Sequence, residues 1–250
     1  MKKKLIIYSS LCLLSLIIFI MMCILVKNSG GNPLKIDEAV RDFFYNIRGN
    51  EKGFNYYLAN IVTYLGDTIC VVIFAVILLI LTKGDNKIFS FLVGILLALC
   101  INIAVKEIFQ RDRPYAEFMW ATETDESFPS GHSLASAFMY SFAIYLIINS
   151  DFKKVLKIIL SIISVLLIIT VVISRMTLGV HYFTDVIAGM SLGLLMSFLA
   201  MIFEEILIKF GIFEKPIFVS IYEKIKSKKN KEKNEINDDT NSDEINNKEE

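Results

Sequence analysis

The chain has 250 residues, 54% of them apolar, with a mean hydropathy of +0.55 and a formal net charge of zero. Long uncharged runs at this length exclude an ordinary soluble domain and indicate membrane spans. Balanced charge gives no footing for a nucleic-acid partner, so the informative charges are those in the loops and the tail.

The first apolar run, Leu5 to Val26, follows Lys2, Lys3 and Lys4. It is long enough for a hydrocarbon layer of ~30 Å, and "VKNSGGNP" has no small-residue cleavage pattern, so an uncleaved anchor is expected. Residues 27–57 form an outer loop in which "IDEAVRDFFYNIRG" alternates charged and apolar residues at helical spacing, predicting an amphipathic helix along the membrane surface. Further spans are predicted at Leu58–Leu81, Ile88–Ile108, His132–Ile148, Val155–Ile173 and Thr184–Ile208, with a polar loop at 109–131. The expected architecture is all-α, an integral membrane bundle of six transmembrane helices over residues 1–210. A charged tail follows at 211–250 and is expected to be disordered from about 223, where aromatic residues are lacking.

All four prolines fall outside the predicted span interiors. Gly189 and Gly193 form a GxxxG that lets helices approach closely. Cys12, Cys23, Cys70 and Cys100 sit in apolar runs without metal-like spacing and read as small buried hydrophobes. His132 and His181 are the two histidines of the chain, too few for a histidine zinc site, and no metal or cofactor is expected.

With six alternating spans, the N-terminus, "TKGDNK", "DFKKVLK" and the tail share one side, and all four are lysine-rich. They are placed in the cytoplasm, which makes the loop at 109–131 and the turn at 174–184 extracytoplasmic. The loop at 27–57 runs against this rule, because it carries Lys27, Lys35, Arg41, Arg48 and Lys52 outside.

Three stretches fall at the outer ends of three spans: "KEIFQRDRP", "PSGH" and "SRMTLGVHYFTD". Lys106 and Arg113 are seven apart, which places them on one helical face if the helix runs on. His181 and Asp185 are four apart, neighbours if helical, and a carboxylate beside an imidazole fixes its tautomer and makes the far nitrogen a better nucleophile. Lys106, Arg113 and Arg175 supply cations suited to phosphate oxygens. The N–H groups around Ser130 and Gly131, at the start of the fourth span, add donors and a helix dipole. Ser130 is expected to bind an oxygen rather than attack. His181 is expected to attack phosphorus and form a phosphohistidine, with Asp185 holding its ring, while His132 protonates the leaving oxygen and then activates water. Glu123, Asp125 and Glu126 would repel an anion if they pointed inward and are expected to be solvated. Trp120 and Tyr115 are expected at the interface.

These motifs, KxxxxxxRP, PSGH and SRxxxxxHxxxD, are filled in order and spacing, and the sequence resembles the type-2 phosphatidic acid phosphatase superfamily. The resemblance covers about residues 1–210. It implies a helical bundle, metal-independent removal of phosphate from a membrane lipid, and the residue roles above. Candidate substrates are undecaprenyl diphosphate, phosphatidic acid, diacylglycerol pyrophosphate and phosphatidylglycerol phosphate. A composition rich in Lys, Asn and Ile fits an AT-rich bacterial genome and places undecaprenyl diphosphate first. Lipid-to-lipid phosphotransfer keeps the same residues. Vanadate-dependent haloperoxidases share the constellation but are soluble, and a transporter or scaffold leaves both histidines and three cations unexplained.

Overall fold

The computed structural model describes residues 2–49, 51–211 and 227, so the expected disorder of the tail lies outside the described residues. The described chain is helical: α1 Lys2–Asn28, α2 Lys35–Arg48, α3 Phe54–Thr63, α4 Thr68–Thr82, α5 Asn86–Phe109, α6 Gly131–Ile148, α7 Lys154–Thr177 and α8 Phe183–Lys209. Single 3-10 turns occupy Tyr64–Gly66 and Ala116–Phe118. Helices α1, α5, α6, α7 and α8 are each long and apolar enough to cross a membrane.

The predicted span Leu58–Leu81 is not one helix. It breaks at the Tyr64–Gly66 turn, and α3 and α4 are bent by 46°, so six crossings result only if this pair counts as one. The cause is Asp67, whose backbone is extended and whose Oδ1 accepts the N–H of Ile69 at 3.2 Å, capping α4. A continuous apolar run hides such a break. Asp85 caps α5 in the same way, accepting the N–H of Lys87 at 2.9 Å.

Helix α8 is the centre of the bundle and packs on α6, α1 and α5. Its GxxxG makes the closest approach. A Cβ built on Gly189 would stand 2.2 Å from the carbonyl oxygen of Ser130, and one on Gly193 would stand 2.3 Å from that of Leu134. The small residues therefore set α8 directly against the start of α6. Beside this seam, Phe91, Phe138 and Phe142 are fully buried and pack ring on ring, with centroids 5.3–6.2 Å apart. The outward faces of α1 and α7 are apolar and exposed, from Ile6 and Leu13 to Ile158 and Leu166, as lipid contact requires. All four cysteines are unpaired, but none is fully buried: Cys12, Cys23 and Cys70 are half-buried, and Cys100 is exposed on the outward face of α5.

Helix α2 forms where the amphipathic pattern predicts, yet it is tied down at both ends. Asp37 is fully buried, and Arg48 donates to the carbonyls of Thr177 and Phe118, both at 2.5 Å, beneath Trp120 at 4.3 Å. This gives Arg48 a structural use and explains one of the basic residues that ran against the expected orientation. Trp120 is correspondingly buried, not interfacial, and its N–H donates to Leu178 at 2.8 Å. Tyr115 is exposed.

Candidate active site

The C-terminal ends of α5 and α7 and the N-terminal ends of α4, α6 and α8 meet at one end of the bundle. All eight residues singled out from the sequence lie there, though several arrive by a different route.

Lys106 is buried in the last turn of α5. Helix α5 does not run on to Arg113, because Gln110 takes a left-handed conformation and its N–H closes on the Lys106 carbonyl at 2.8 Å. The two cations converge through the following loop instead. Lys106 Nζ donates to Asp125 Oδ2 at 2.7 Å, and Arg113 Nη2 donates to Asp125 Oδ1 at 2.6 Å. Arg113 Nη1 also donates to the Val180 carbonyl at 2.8 Å and lies 3.3 Å from His181 Nε2. Arg175, in the last turn of α7, donates to Thr63 Oγ1 at 2.9 Å and to Glu123.

Glu123 and Asp125 are therefore not simply solvated loop residues. Their carboxylates cover all three cations, and the Glu126 carbonyl accepts from Lys106. For Asp125, burial is outweighed by Lys106 and Arg113, which hold its carboxyl down at about 2. Burial of Glu123 is likewise outweighed by Arg175, so that its carboxyl stays below the usual range.

His181 precedes α8, in the turn after α7, so the pair with Asp185 is not the expected helical one. Nδ1 lies 3.6 Å from Asp185 Oδ2, longer than a hydrogen bond, and has no hydrogen-bond partner. Asp185 is buried in the first turn of α8 and accepts from the N–H of Tyr182 at 2.8 Å, from Ser127 Oγ and from Arg111. Burial pushes the His181 pKa down to about 3, opposed by Asp185 and aided by Arg175 and Arg113. The ring is neutral, and a proton on Nδ1 facing Asp185 leaves the Nε2 lone pair toward Arg113.

His132 is the second residue of α6, and its Nε2 stands 3.8 Å from Asp67 Oδ2 at the break between α3 and α4. Both imidazoles lie within electrostatic reach of Arg113 and Arg175. Ser130 is fully buried as the α6 cap: Ser133 Oγ donates to its Oγ at 3.0 Å, and its N–H donates to the Asp185 carbonyl at 3.1 Å. Its Oγ is the acceptor in both bonds with Ser133, which shape the turn. Gly131 and His132 are first-turn residues whose N–H groups have no intrahelical acceptor.

Sequence reasoning missed a buried group behind Asp185. Arg111 donates through Nη1 to Asp185 Oδ1 at 2.5 Å and to Thr184 Oγ1 at 2.7 Å, and through Nη2 to Asp37 Oδ2 at 2.8 Å. Its guanidinium lies 4.4 Å from the Tyr182 ring. Burial opposes its charge, but Asp185 and Asp37 outweigh burial and raise its pKa. Removing one partner of such a buried ionic group costs about 3–5 kcal/mol. Within "QRDRP" nothing but position separates Arg111 from an interfacial arginine. Asn102, one turn before Lys106, was also missed; it is buried and its Oδ1 has no partner.

The arrangement presents three cations beside a neutral imidazole nitrogen and a second imidazole. Comparison with known proteins agrees with this chemistry. The PAP2 superfamily model matches residues 87–208. The chain is 42% identical to phosphatidylglycerophosphatase B of Bacillus subtilis over 111 residues, 42% of this chain and 52% of that protein; the match thus spans about half the length of this curated relative. A crystal structure of a transmembrane PAP2-type phosphatidylglycerolphosphate phosphatase from Bacillus subtilis superposes with a TM-score of 0.62 at 30% identity, covering 79% of this chain and 96% of that one. The chain belongs to the PAP2 superfamily.

Proposed function

We propose that the protein is a lipid phosphatase that removes phosphate from a phosphorylated membrane lipid. The observation that carries this reading is the convergence of Arg113 and Arg175 on the neutral His181, with Arg113 Nη1 3.3 Å from its Nε2 and Lys106 joined to Arg113 through Asp125. Nε2 attacks phosphorus as the bond to the lipid oxygen breaks, and His132, which enters the step protonated between Asp67 and the bound phosphate, gives that oxygen a proton. The resulting phosphohistidine is hydrolysed when His132 takes a proton from water and the oxygen attacks phosphorus, releasing phosphate and returning neutral His181. The three cations and the first-turn N–H groups of Gly131 and His132 hold the equatorial oxygens through both steps. Asp185 stabilises the positive charge that His181 gains. The fixed cations Lys106, Arg113 and Arg175 meet the phosphate's charge.

Both relatives are named for phosphatidylglycerophosphate, which supports that lipid as the first substrate to test. Undecaprenyl diphosphate, favoured by composition, is the second. Lysines gather at the end opposite the site, at Lys2–Lys4, Lys83, Lys87, Lys153, Lys154, Lys157 and Lys209, which supports cytoplasmic termini and an extracytoplasmic site.

The test is phosphate release by detergent-purified protein, with a chelator present, from phosphatidylglycerol phosphate, undecaprenyl diphosphate, phosphatidic acid and diacylglycerol pyrophosphate. Activity that survives the chelator and vanishes in His181→Ala is expected. Failure to release phosphate from any of them would overturn the reading.

A further inference from the structure

Asp185 is expected to steady His181, yet it is itself bound to a cation. The Asp185–Arg111 pair is fully buried, with both side chains inaccessible to solvent. Alone, such a pair is neutral, and the positive charge growing on His181 during attack would meet a dipole instead of a carboxylate. Asp37 changes this. It reaches in from α2, also fully buried, and pairs with Arg111 at 2.8 Å. Its Oδ1 accepts from the Thr184 N–H at 2.9 Å, which locks it onto the first turn of α8. Two carboxylates on one guanidinium leave the group one negative charge in excess, on the Nδ1 side of His181, opposite the Nε2 that faces Arg113.

From this geometry we propose that Asp37 and Arg111 are positioning residues for the phosphatase reaction. Arg111 fixes the Asp185 carboxylate against rotation, and Asp37 balances Arg111 so that the charge of Asp185 acts on His181. The amphipathic helix α2, which the sequence alone places along the membrane surface, is thereby a working part of the site. The inference rests on the reading under Proposed function.

The electrostatic role differs from a merely structural one in what each variant removes. Asp37→Asn keeps the shape and an amide oxygen for the Thr184 N–H but deletes the charge. Thr184→Val keeps the charge but deletes a hydroxyl that bonds both Asp37 oxygens and accepts from Arg111. Steady-state kinetics of the detergent-purified variants on phosphatidylglycerol phosphate, with vanadate inhibition and melting temperatures, separates the two.

For Asp37→Asn, kcat is expected to fall about tenfold or more and vanadate affinity with it, with KM within about twofold of wild type. Thr184→Val is expected to lower the melting temperature at least as much but kcat distinctly less. Equal kcat losses in the two variants, or loss in Asp37→Asn through KM alone, would overturn the proposal. If Asp37→Asn does not fold, Arg111→Lys serves in its place, since one ammonium cannot reproduce the guanidinium fork between two carboxylates; an unchanged kcat there is equally fatal. An inactive wild type would instead sink the phosphatase reading, so the two failures are distinguishable.

Discussion

Nη1 of Arg113 stands 3.3 Å from Nε2 of His181 while the same guanidinium holds the Val180 carbonyl and the Asp125 carboxylate. One side chain thus joins the candidate nucleophile, the backbone that carries it and the acidic loop. Arg113→Lys keeps the charge but loses the planar fork. Because the proposed mechanism sets the fork where charge develops on the transferring phosphoryl group, kcat/KM is expected to fall about 10²-fold. Kinetics on a water-soluble phosphomonoester checks this, and a loss under about threefold would show that charge alone suffices.

The acidic loop makes a second prediction. Between the Trp120 N–H on Leu178 and the Ser127 N–H on Arg111, backbone hydrogen bonds tie the loop down at each end. In between, the bonds from Arg175, Lys106 and Arg113 to Glu123, Asp125 and the Glu126 carbonyl hold it over the cations. A phosphate that takes those donors must displace the carboxylates. Asp125 is about half exposed, so its pairs are worth at most about 1 kcal/mol after screening, which is roughly fivefold in affinity. The Glu123→Gln/Asp125→Asn variant is therefore expected to bind inorganic phosphate and substrate several-fold more tightly. Inhibition constants for phosphate measure it, and weaker binding would mean that the loop builds the cradle rather than covers it.

What the sequence made legible were the residues whose chemistry is itself the message. Two histidines in an apolar chain, and basic residues at span ends with nothing apolar to do, point to a site without any structure. What it hid depended on long-range pairing. Asp37 and Arg111 are 74 positions apart, and neither is unusual for its own segment. The break at Asp67 was hidden because apolar residues continue across it. The supposed helical partnerships of Lys106 with Arg113 and of His181 with Asp185 failed for one reason: spacing fixes a shared face only where the helix continues, and Gln110 and Tyr182 end or begin helices between the partners. The convergence survived because the loops bring the same side chains back.

Acid should weaken the fold, and the sign follows from two groups. His181 holds its pKa at about 3 in the fold against about 6.5 in an unfolded chain, so between these values the unfolded state binds more protons. Asp125 sits at about 2 against about 3.9, with the same consequence in a lower window. Both contributions are complete above pH about 6.5 and are lost on acidification, first through His181 and then through Asp125. Melting temperatures in detergent should decline from pH 7 to pH 4, and His181→Gln should show a shallower decline. An equal slope in that variant would contradict the neutral buried imidazole. For activity, a ring already neutral at pH 4 cannot set an acid limb near 6. That limb should follow the second ionisation of the substrate phosphate, near pH 6, and move when a more acidic phosphomonoester is used.

The α6–α8 seam links stability to chemistry in one place. Gly189 faces the backbone of Ser130, the residue that caps α6 and whose N–H bonds the Asp185 carbonyl. A methyl group at 189 would overlap the Ser130 carbonyl oxygen, backbone that cannot rotate away, so the helices must part. Small-to-large changes in a packed interior cost about 1–3 kcal/mol, and the parting would move the start of α6, with His132, away from the start of α8. Gly189→Ala is therefore expected to lose both melting temperature and kcat. Gly53→Ala, where a Cβ meets nothing within 4 Å, should lose neither. Gly131→Ala gives an intermediate case: its Cβ would approach Asn102 Nδ2 at 3.6 Å, an ordinary contact, so the fold should persist. Thermal unfolding and turnover measured together check the series, and a Gly189→Ala enzyme with normal turnover would show that the register of α6 on α8 does not position the histidines.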